Sequence, residues 1–225
     1  MKSWMRMASV CLTLMLCSAA AGAQDVLTVR KLRCEYKVDP VGIDIAKPRF
    51  SWQLKSTEKN VLQTSYELQV AQSQKDLDKE KLLWTTGKVD SDASHGVEYA
   101  GPSLASEHIY YWRVRVSDNH SHTTLWSQPA KWEMALLQPA DWKATWITPN
   151  LPEDETKSNP APLLRREFTL NAKKKIELAR LFASAMGLYE LHLNGHRVGD
   201  QYFTPGWTAY DFRYQYQTFE VTDML

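Results

Sequence analysis

Short stretches of alternating apolar and polar residues, separated by turn residues, extend from Arg33 to about Leu137. Successive side chains of a strand point to opposite faces, so each stretch predicts a strand with one buried face. Three sets of residues have this spacing: Phe50, Trp52 and Leu54; Tyr66, Leu68 and Val70; Tyr110, Trp112, Val114 and Val116. The pattern predicts an all-β sandwich over residues 24–137.

Two further features complete this first unit. Trp132, Met134 and Leu136 alternate at its end and predict a final buried strand. Residues 74–83 are rich in Lys, Asp, Glu and Leu and favour one or two helical turns, with Ser73 or Asp76 as the cap. We expect this short helix to be a surface crossover between strands.

A second unit is predicted for residues 138–225, after the boundary at Gln138-Pro139-Ala140-Asp141. Strands are expected at 163–170, 177–184, 188–193 and 214–221. Asn194-Gly195 is typical of a tight hairpin turn, because both of its positions need positive φ. The chain stops where another strand should follow, so we predict an incomplete, jelly-roll-like second β-sandwich.

The first 23 residues have the pattern of a secretory signal peptide. Lys2 and Arg6 precede an apolar run at residues 10–17, and small residues lead to a predicted cleavage site between Ala23 and Gln24. The run is too short for a transmembrane helix, and no transmembrane segment is expected elsewhere. Neither Cys11 nor Cys17 follows a small residue, so cleavage is favoured over lipidation. We predict a periplasmic or extracellular protein.

Cleavage would leave 25 basic and 26 acidic side chains, so the charge balance gives no reason to expect a nucleic-acid partner. It would also leave Cys34 as the one cysteine, which excludes an intramolecular disulfide in residues 24–225. We therefore expect the stability of the protein to come from buried apolar surface.

The six histidines lack the spacing of a metal site, and neither a metal nor a cofactor is predicted. Asp118, His120 and His122 form one local cluster that could hold a divalent ion weakly, although a polar loop explains it more simply. His192 and His196 flank the hairpin turn and are expected to be solvated. Neither a phosphate-binding glycine loop nor a nucleophile elbow occurs.

Aromatic residues supply the candidates for ligand binding. Trp207 and Tyr210 follow Gly206, whose turn could present Trp207 to solvent, and flat aromatic faces pack well on sugar rings. The competing interpretation is that Trp207 plugs the open end of the sandwich. Most of the neighbouring aromatic series is expected in the core: Tyr202, Phe203, Tyr210, Phe212, Tyr214, Tyr216 and Phe219.

Trp142 and Trp146 follow the boundary between the units and form a second aromatic candidate. They could also stack on sugars, but we favour the interpretation that they pin the second unit to the first.

Glycoside hydrolysis normally needs two carboxyl groups facing each other across the scissile bond. Asp200, Asp211 and Glu220 are available in the second unit, but their spacing gives no evidence that any two converge. We expect each to be a turn residue or an ion-pair partner of Arg197 or Arg213.

The first unit resembles a fibronectin type III module at Tyr111–Val116 and at Trp126-Ser127. From about Leu32 onward the chain also resembles the N-terminal β-sandwich region of bacterial α-L-rhamnosidases. The segments that carry this resemblance are, in order, Leu32–Glu35, Pro40–Asp44, Pro48–Trp52, Tyr111–Val116, Gly187–Gly195 and Pro205–Tyr210.

The rhamnosidase resemblance implies that the catalytic acid and base lie in a downstream α/α barrel, so no residue of this chain inherits a catalytic role. It implies a secreted enzyme that hydrolyses terminal α-L-rhamnosyl linkages of glycans with inversion, in which the two sandwiches brace the catalytic domain. The alternative is a non-catalytic carbohydrate-binding or cell-surface adhesion module, because sandwich folds serve many functions.

Overall fold

A computed structural model describes residues 27–152, 154, 156–171 and 173–225. The predicted signal peptide, with its cleavage site at Ala23, lies outside the described residues. None of the helices in the described ranges is long and apolar enough to cross a membrane. The first unit consists of β1 (Leu27–Cys34), β2 (Arg49–Ser56), β3 (Gln63–Ala71), α1 (Gln74–Asp78), β4 (Trp84–Asp90), β5 (Val97–Glu98), β6 (Ile109–Asp118) and β7 (Ala130–Glu133).

The first unit is a sandwich of two antiparallel sheets. One has the strand order β1-β2-β5 and the other β4-β3-β6-β7. Their inner faces share one apolar core, in which the Phe50 ring of β2 lies 4.6 Å from the Trp112 ring of β6. The alternation in β2, β3 and β6 places the predicted apolar residues inward, with Trp112, Val114 and Leu68 fully buried. The all-β prediction is confirmed.

Local details of this unit also follow the sequence. The Ser73 hydroxyl caps α1 by accepting a hydrogen bond from the Asp76 N–H at 3.0 Å, as predicted, although the helix ends at Asp78. Trp132 and Met134 are buried as expected. Leu136, however, is only half-buried, because β7 ends at Glu133 and the alternation does not continue to this residue.

The second unit contains β8 (Arg180–Ser184), β9 (His192–Leu193), β10 (His196–Arg197) and β11 (Tyr216–Glu220). β8 pairs with β11, and β9 pairs with β10, both antiparallel. The predicted hairpin turn is confirmed: Asn194 has φ 51° and Gly195 φ 81°. The jelly-roll-like arrangement stays a prediction, since the described residues form two separate two-stranded sheets here.

One strand prediction in this unit is wrong, and another is confirmed only in part. Residues 163–170 are not in a strand, and Leu163 is completely exposed. A strand needs a hydrogen-bonded neighbour, and no described strand pairs with this segment. The strand expected at 188–193 shortens to β9 and a single bridge between Tyr189 and Thr204. Residues 163–170 therefore contain large apolar residues but lack the backbone pairing that a strand needs.

A buried ion pair joins the two units. Glu133 of β7 accepts a hydrogen bond from Nε of Arg180 at 2.7 Å, and Arg180 Nη2 donates to its second oxygen. The Arg180 side chain is 11% exposed and that of Glu133 is 4% exposed. Glu220 of β11 lies on the outer side of the same guanidinium, at 3.4 Å from Nη1. Arg180 therefore ties β8 and β11 to the first sandwich.

Close backbone approach and an aromatic contact extend this junction. A Cβ atom at Gly42 (φ 80°) would lie 3.0 Å from Oγ1 of Thr218, so only glycine fits there without a shift. The Tyr216 hydroxyl accepts a hydrogen bond from the Leu136 N–H at 3.0 Å. The Tyr216 ring also packs on Trp142 at 5.5 Å. The two units thus share a continuous interface along β11.

The segment between the units is fixed by one carboxylate. Asp141 accepts hydrogen bonds from the Ser106 hydroxyl and from the Gln138 N–H, the latter at 3.0 Å. Ser106 in turn accepts from the Leu137 N–H at 2.9 Å. The hydrogen bond from Ser106 is the main reason that the pKa of Asp141 lies below its usual value. The predicted boundary is therefore an ordered turn.

Candidate functional site: an exposed aromatic surface on the second unit

The loop between β10 and β11 carries both predicted sugar-binding residues. Thr204 anchors the loop: it is buried, its carbonyl accepts a hydrogen bond from the Tyr189 N–H at 2.8 Å, and its hydroxyl donates to the Tyr189 carbonyl at 3.2 Å. Gly206 has φ 96°, a conformation that side chains rarely adopt. Thr208 closes the loop by donating to the Arg213 carbonyl at 2.7 Å. Trp207 lies between these fixed points.

Trp207 is 87% exposed. Its neighbours Thr204 and Thr208 are both buried, so the backbone at the indole is held while the ring faces solvent. None of the described residues covers the ring, and the interpretation that Trp207 plugs the sandwich stays an open alternative. A solvent-facing indole on an anchored loop is suited to stacking on the apolar face of a sugar.

Tyr210 is held more tightly than Trp207. Its hydroxyl accepts a hydrogen bond from the Gly187 N–H at 2.7 Å. Its ring stacks on Tyr214, with centroids 5.5 Å apart and planes 8° from parallel. Tyr214 in turn contacts Trp146 at 5.0 Å. We call Trp146, Tyr214 and Tyr210 the aromatic row.

The two tryptophans after the boundary have different environments. Trp142 is half-buried against Tyr216 at the junction between the units, as the pinning interpretation predicts. Trp146 is 54% exposed and belongs to the aromatic row instead. Only Trp146 of this pair therefore offers a free ring face.

The expectation that most of the aromatic series lies in the core is wrong. Tyr202, Phe203 and Phe212 are 72%, 80% and 88% exposed, and Tyr214 is 41% exposed. Dense aromatic spacing in sequence indicates a core only if a second layer covers it, and the described residues supply no such layer here. Sequence reasoning also missed the aromatic row, because Trp146 and Tyr214 are 68 residues apart and no local pattern links them.

The three candidate carboxylates of the second unit have different surroundings. Glu220 pairs with Arg180 rather than with the predicted Arg197 or Arg213. Hydrogen bonds from Thr222, ahead of the charge of Arg180, hold the pKa of Glu220 below its usual value. Asp200 and Asp211 are both exposed.

A small polar cluster surrounds the hairpin β9–β10. Glu190 contacts Nε2 of His192 at 2.7 Å, and Nε of Arg197 lies 3.5 Å from its other oxygen. The hydrogen bond with His192 lowers the pKa of Glu190. The Arg197 guanidinium lies over the Tyr202 ring at 4.1 Å. His192 and His196 are exposed, as predicted.

Comparisons with known families match the chain in two successive parts. Residues 29–138 match the family described as the Rha78A-like, N-terminal immunoglobulin domain. Residues 174–225 match the α-L-rhamnosidase N-terminal domain. The first sandwich is therefore assigned to an immunoglobulin-type domain, within the broad sandwich class that the fibronectin-like pattern predicted.

Curated relatives cover most of the chain. An α-L-rhamnosidase of Alteromonas sp. (strain LOR) is 33% identical over 195 residues, which are 84% of this chain and 21% of the relative. An α-L-rhamnosidase of Streptomyces avermitilis is 34% identical over 189 residues, 76% of this chain and 18% of the relative. The chain thus spans about a fifth of the length of these relatives.

Solved structures of α-L-rhamnosidases also match most of this chain over about a fifth of their own length. The α-L-rhamnosidase from Dictyoglumus thermophilum superposes with a TM-score of 0.77 at 32% identity, over 88% of this chain and 23% of that one. The α-L-rhamnosidase from Aspergillus terreus superposes with a TM-score of 0.68 at 27% identity, over 88% of this chain and 22% of that one. The chain is therefore an N-terminal region of the α-L-rhamnosidase family.

Proposed function

We propose that this chain is the accessory N-terminal region of an exported α-L-rhamnosidase that hydrolyses terminal α-L-rhamnosyl linkages of glycans with inversion. The observation that carries the proposal is the order of the two matched domains, together with relatives about five times as long. In this proposal the general acid and the general base lie in a downstream catalytic domain of the same enzyme. Two carboxylates of the second unit already have structural partners: Glu220 pairs with Arg180, and Glu190 pairs with His192 and Arg197.

The junction between the units supports a bracing role. The buried pair of Glu133 and Arg180 and the close approach of Gly42 to Thr218 fix the second unit on the first. Two units held in this way present one surface to a neighbouring domain, instead of moving independently on a linker.

An exposed apolar face on the second unit supports the presence of a further domain. Leu163, Leu164, Phe168 and Leu170 are 43% to 100% exposed. Residues 164–170 line one side of a groove of about 830 Å³, and the β9–β10 turn lines the other. Exposed apolar residues that lie close together are typical of a surface that another part of a protein covers, and Arg165, Arg166 and Glu167 line the same groove. We propose that later strands of the same rhamnosidase occupy this groove and pair with residues 163–170.

A second candidate function is carbohydrate binding by the loop of Trp207. The exposed indole lies between the buried residues Thr204 and Thr208 and is suited to a sugar contact, whereas Tyr210 would act mainly by holding the loop. In an intact enzyme this contact would extend the substrate cleft. In a non-catalytic protein it would be the whole function, as a carbohydrate-binding or adhesion module.

The product of the complete reading frame that contains this chain tests the proposal. We expect it to release rhamnose from an aryl α-L-rhamnoside, with the β-anomer appearing first in a time-resolved NMR spectrum. A complete product without this activity that still binds rhamnose-containing polysaccharide would favour the binding module instead.

The Trp207 contact is tested in the same protein. Trp207→Ala should weaken binding of a rhamnose-containing polysaccharide while leaving turnover of the small aryl rhamnoside unchanged. Tyr36→Ala is the matched control, because Tyr36 is an aromatic residue on the first unit that is 60% exposed. Equal polysaccharide affinities for Trp207→Ala and the parent would show that Trp207 does not contribute to binding.

A further inference from the structure

Two loops meet at one end of the first sandwich, and Asn119 joins them. Asn119 accepts a hydrogen bond from the Leu62 N–H at 2.8 Å through Oδ1, and its own N–H donates to the Leu62 carbonyl at 3.0 Å. Its Nδ2 also donates to the Asn60 carbonyl at 3.1 Å. The β2–β3 loop, which contains Glu58, is thereby held against the β6–β7 loop, which contains His120 and His122.

These three side chains form a compact set of ligand atoms. One ligand atom from each of Glu58, His120 and His122 lies within 4.8 Å of the other two. Nδ1 of His120 is 3.1 Å from Oε2 of Glu58, and the two imidazole rings are 6.1 Å apart. Glu58 and His120 are exposed and His122 is half-buried, so an ion can reach the set from solvent.

A buried carboxylate orients the second imidazole. Asp118, whose side chain is 0% exposed, accepts hydrogen bonds from the backbone N–H groups of His120 at 2.9 Å and His122 at 2.8 Å. Its Oδ2 lies 3.0 Å from Nδ1 of His122. A proton on Nδ1 then leaves Nε2 of His122 with a free lone pair. A carboxylate that fixes an imidazole in this way is typical of histidines that bind metal ions.

We propose that Glu58, His120 and His122 form a binding site for a divalent transition-metal ion of the Zn²⁺ class, with Asp118 positioning His122. Two imidazoles and one carboxylate are a ligand set that Zn²⁺ accepts, with water at the fourth position. Zn–N bonds of about 2.0–2.1 Å place ligand atoms roughly 3.3 Å apart, close to the 3.1 Å that separates Oε2 of Glu58 from Nδ1 of His120. The ion links the two loops and stabilises this end of the sandwich.

The test uses untagged protein that begins at Gln24, with Zn²⁺ titrated calorimetrically and Co²⁺ as a spectroscopic probe. We expect one Zn²⁺ per chain, visible-region Co²⁺ bands of a four-coordinate site, and a melting temperature that rises with Zn²⁺ concentration. Glu58→Gln, His120→Ala and His122→Ala should each weaken Zn²⁺ binding by more than tenfold and remove the melting shift. Asp118→Asn should weaken it by about 10- to 100-fold.

His95→Ala is the matched control, because His95 is an exposed histidine of the same sandwich outside the cluster. It should bind Zn²⁺ like the parent. Melting curves without metal show whether each variant folds. Because the Glu58 side chain is exposed, Glu58→Gln should remove a metal ligand without disturbing the fold. Absence of stoichiometric Zn²⁺ binding by the parent, or unchanged affinity in folded Glu58→Gln and His120→Ala, would overturn the site.

Discussion

Replacing Arg180 by methionine should show how much the ion pair at the junction of the two units contributes to the free energy of unfolding. Arg180 is the one described cation in contact with Glu133, and both side chains are nearly buried. Methionine keeps much of the apolar stem but removes both hydrogen bonds to the carboxylate. Glu133 would then be a buried, uncompensated charge. The loss of stability therefore comes mainly from the Glu133 carboxylate, which stays buried without a partner.

Removing one partner of a buried ion pair typically costs about 3–5 kcal/mol, whereas replacing both partners by apolar residues is often neutral. We therefore expect Arg180→Met to lower the free energy of unfolding by about 3–5 kcal/mol, and Glu133→Leu/Arg180→Met to recover most of that loss. Glu220→Gln is the internal control: Glu220 contacts the same guanidinium at 3.4 Å but is 52% exposed. It should cost about 0–1 kcal/mol.

Urea unfolding followed by circular dichroism gives these differences, and limited proteolysis between the units reports whether the junction opens. The hydrogen bonds from Arg180 to Glu133 raise the pKa of Arg180 above its usual value. A raised pKa stabilises the fold at every pH below the unfolded value of roughly 12.5, so this contribution of Arg180 is fully present in the parent between pH 6 and 9. A free energy of unfolding for Arg180→Met within about 0.5 kcal/mol of the parent value would show that the Glu133 charge is not left buried without a partner.

Four further predictions follow from single residues. Trp112→Ala should lower the unfolding free energy by about 3–5 kcal/mol, because Trp112 is fully buried; a melting temperature near that of the parent would show that the core assignment is wrong. The Cys34 thiol is buried and burial raises its pKa, so in protein beginning at Gln24 a thiol reagent should label it only after denaturation. Hydrogen bonds from Arg49 lower the pKa of Glu35, so the stability lost in Glu35→Gln should be largest near neutral pH and should shrink as the pH falls below about 4 in paired urea titrations. Sequencing of exported protein should find Gln24 at its N-terminus, and an N-terminus at Met1 would contradict the export prediction.

The features that could be predicted from the sequence are those whose evidence is local. Alternation in β6 identified the inward face that contains Trp112, and Asn194-Gly195 identified a turn that depends on two backbone conformations only. Ser73 likewise caps a helix that begins at the next residue. Each signal lies within a few residues of the feature that it predicts.

The rest depends on contacts between distant parts of the chain. Residues 163–170 have the composition of a strand but no described partner, so pattern alone gave the wrong result. Glu58 reaches His120 across 62 residues and Glu133 reaches Arg180 across 47, and no spacing rule predicts either pair. The exposure of Trp207 could be suggested by Gly206, but only the anchoring of Thr204 and Thr208 shows how the loop is held.

We propose that these residues are an accessory region whose carboxylates do not catalyse hydrolysis. The most direct test of this proposal compares residues 24–225 with the product of the complete reading frame on an aryl α-L-rhamnoside at matched concentration. We expect rhamnose release by the complete protein and none by residues 24–225. Release by residues 24–225 that is lost in Asp200→Asn or Asp211→Asn would contradict it, because the active site would then lie in the segment assigned here as a scaffold.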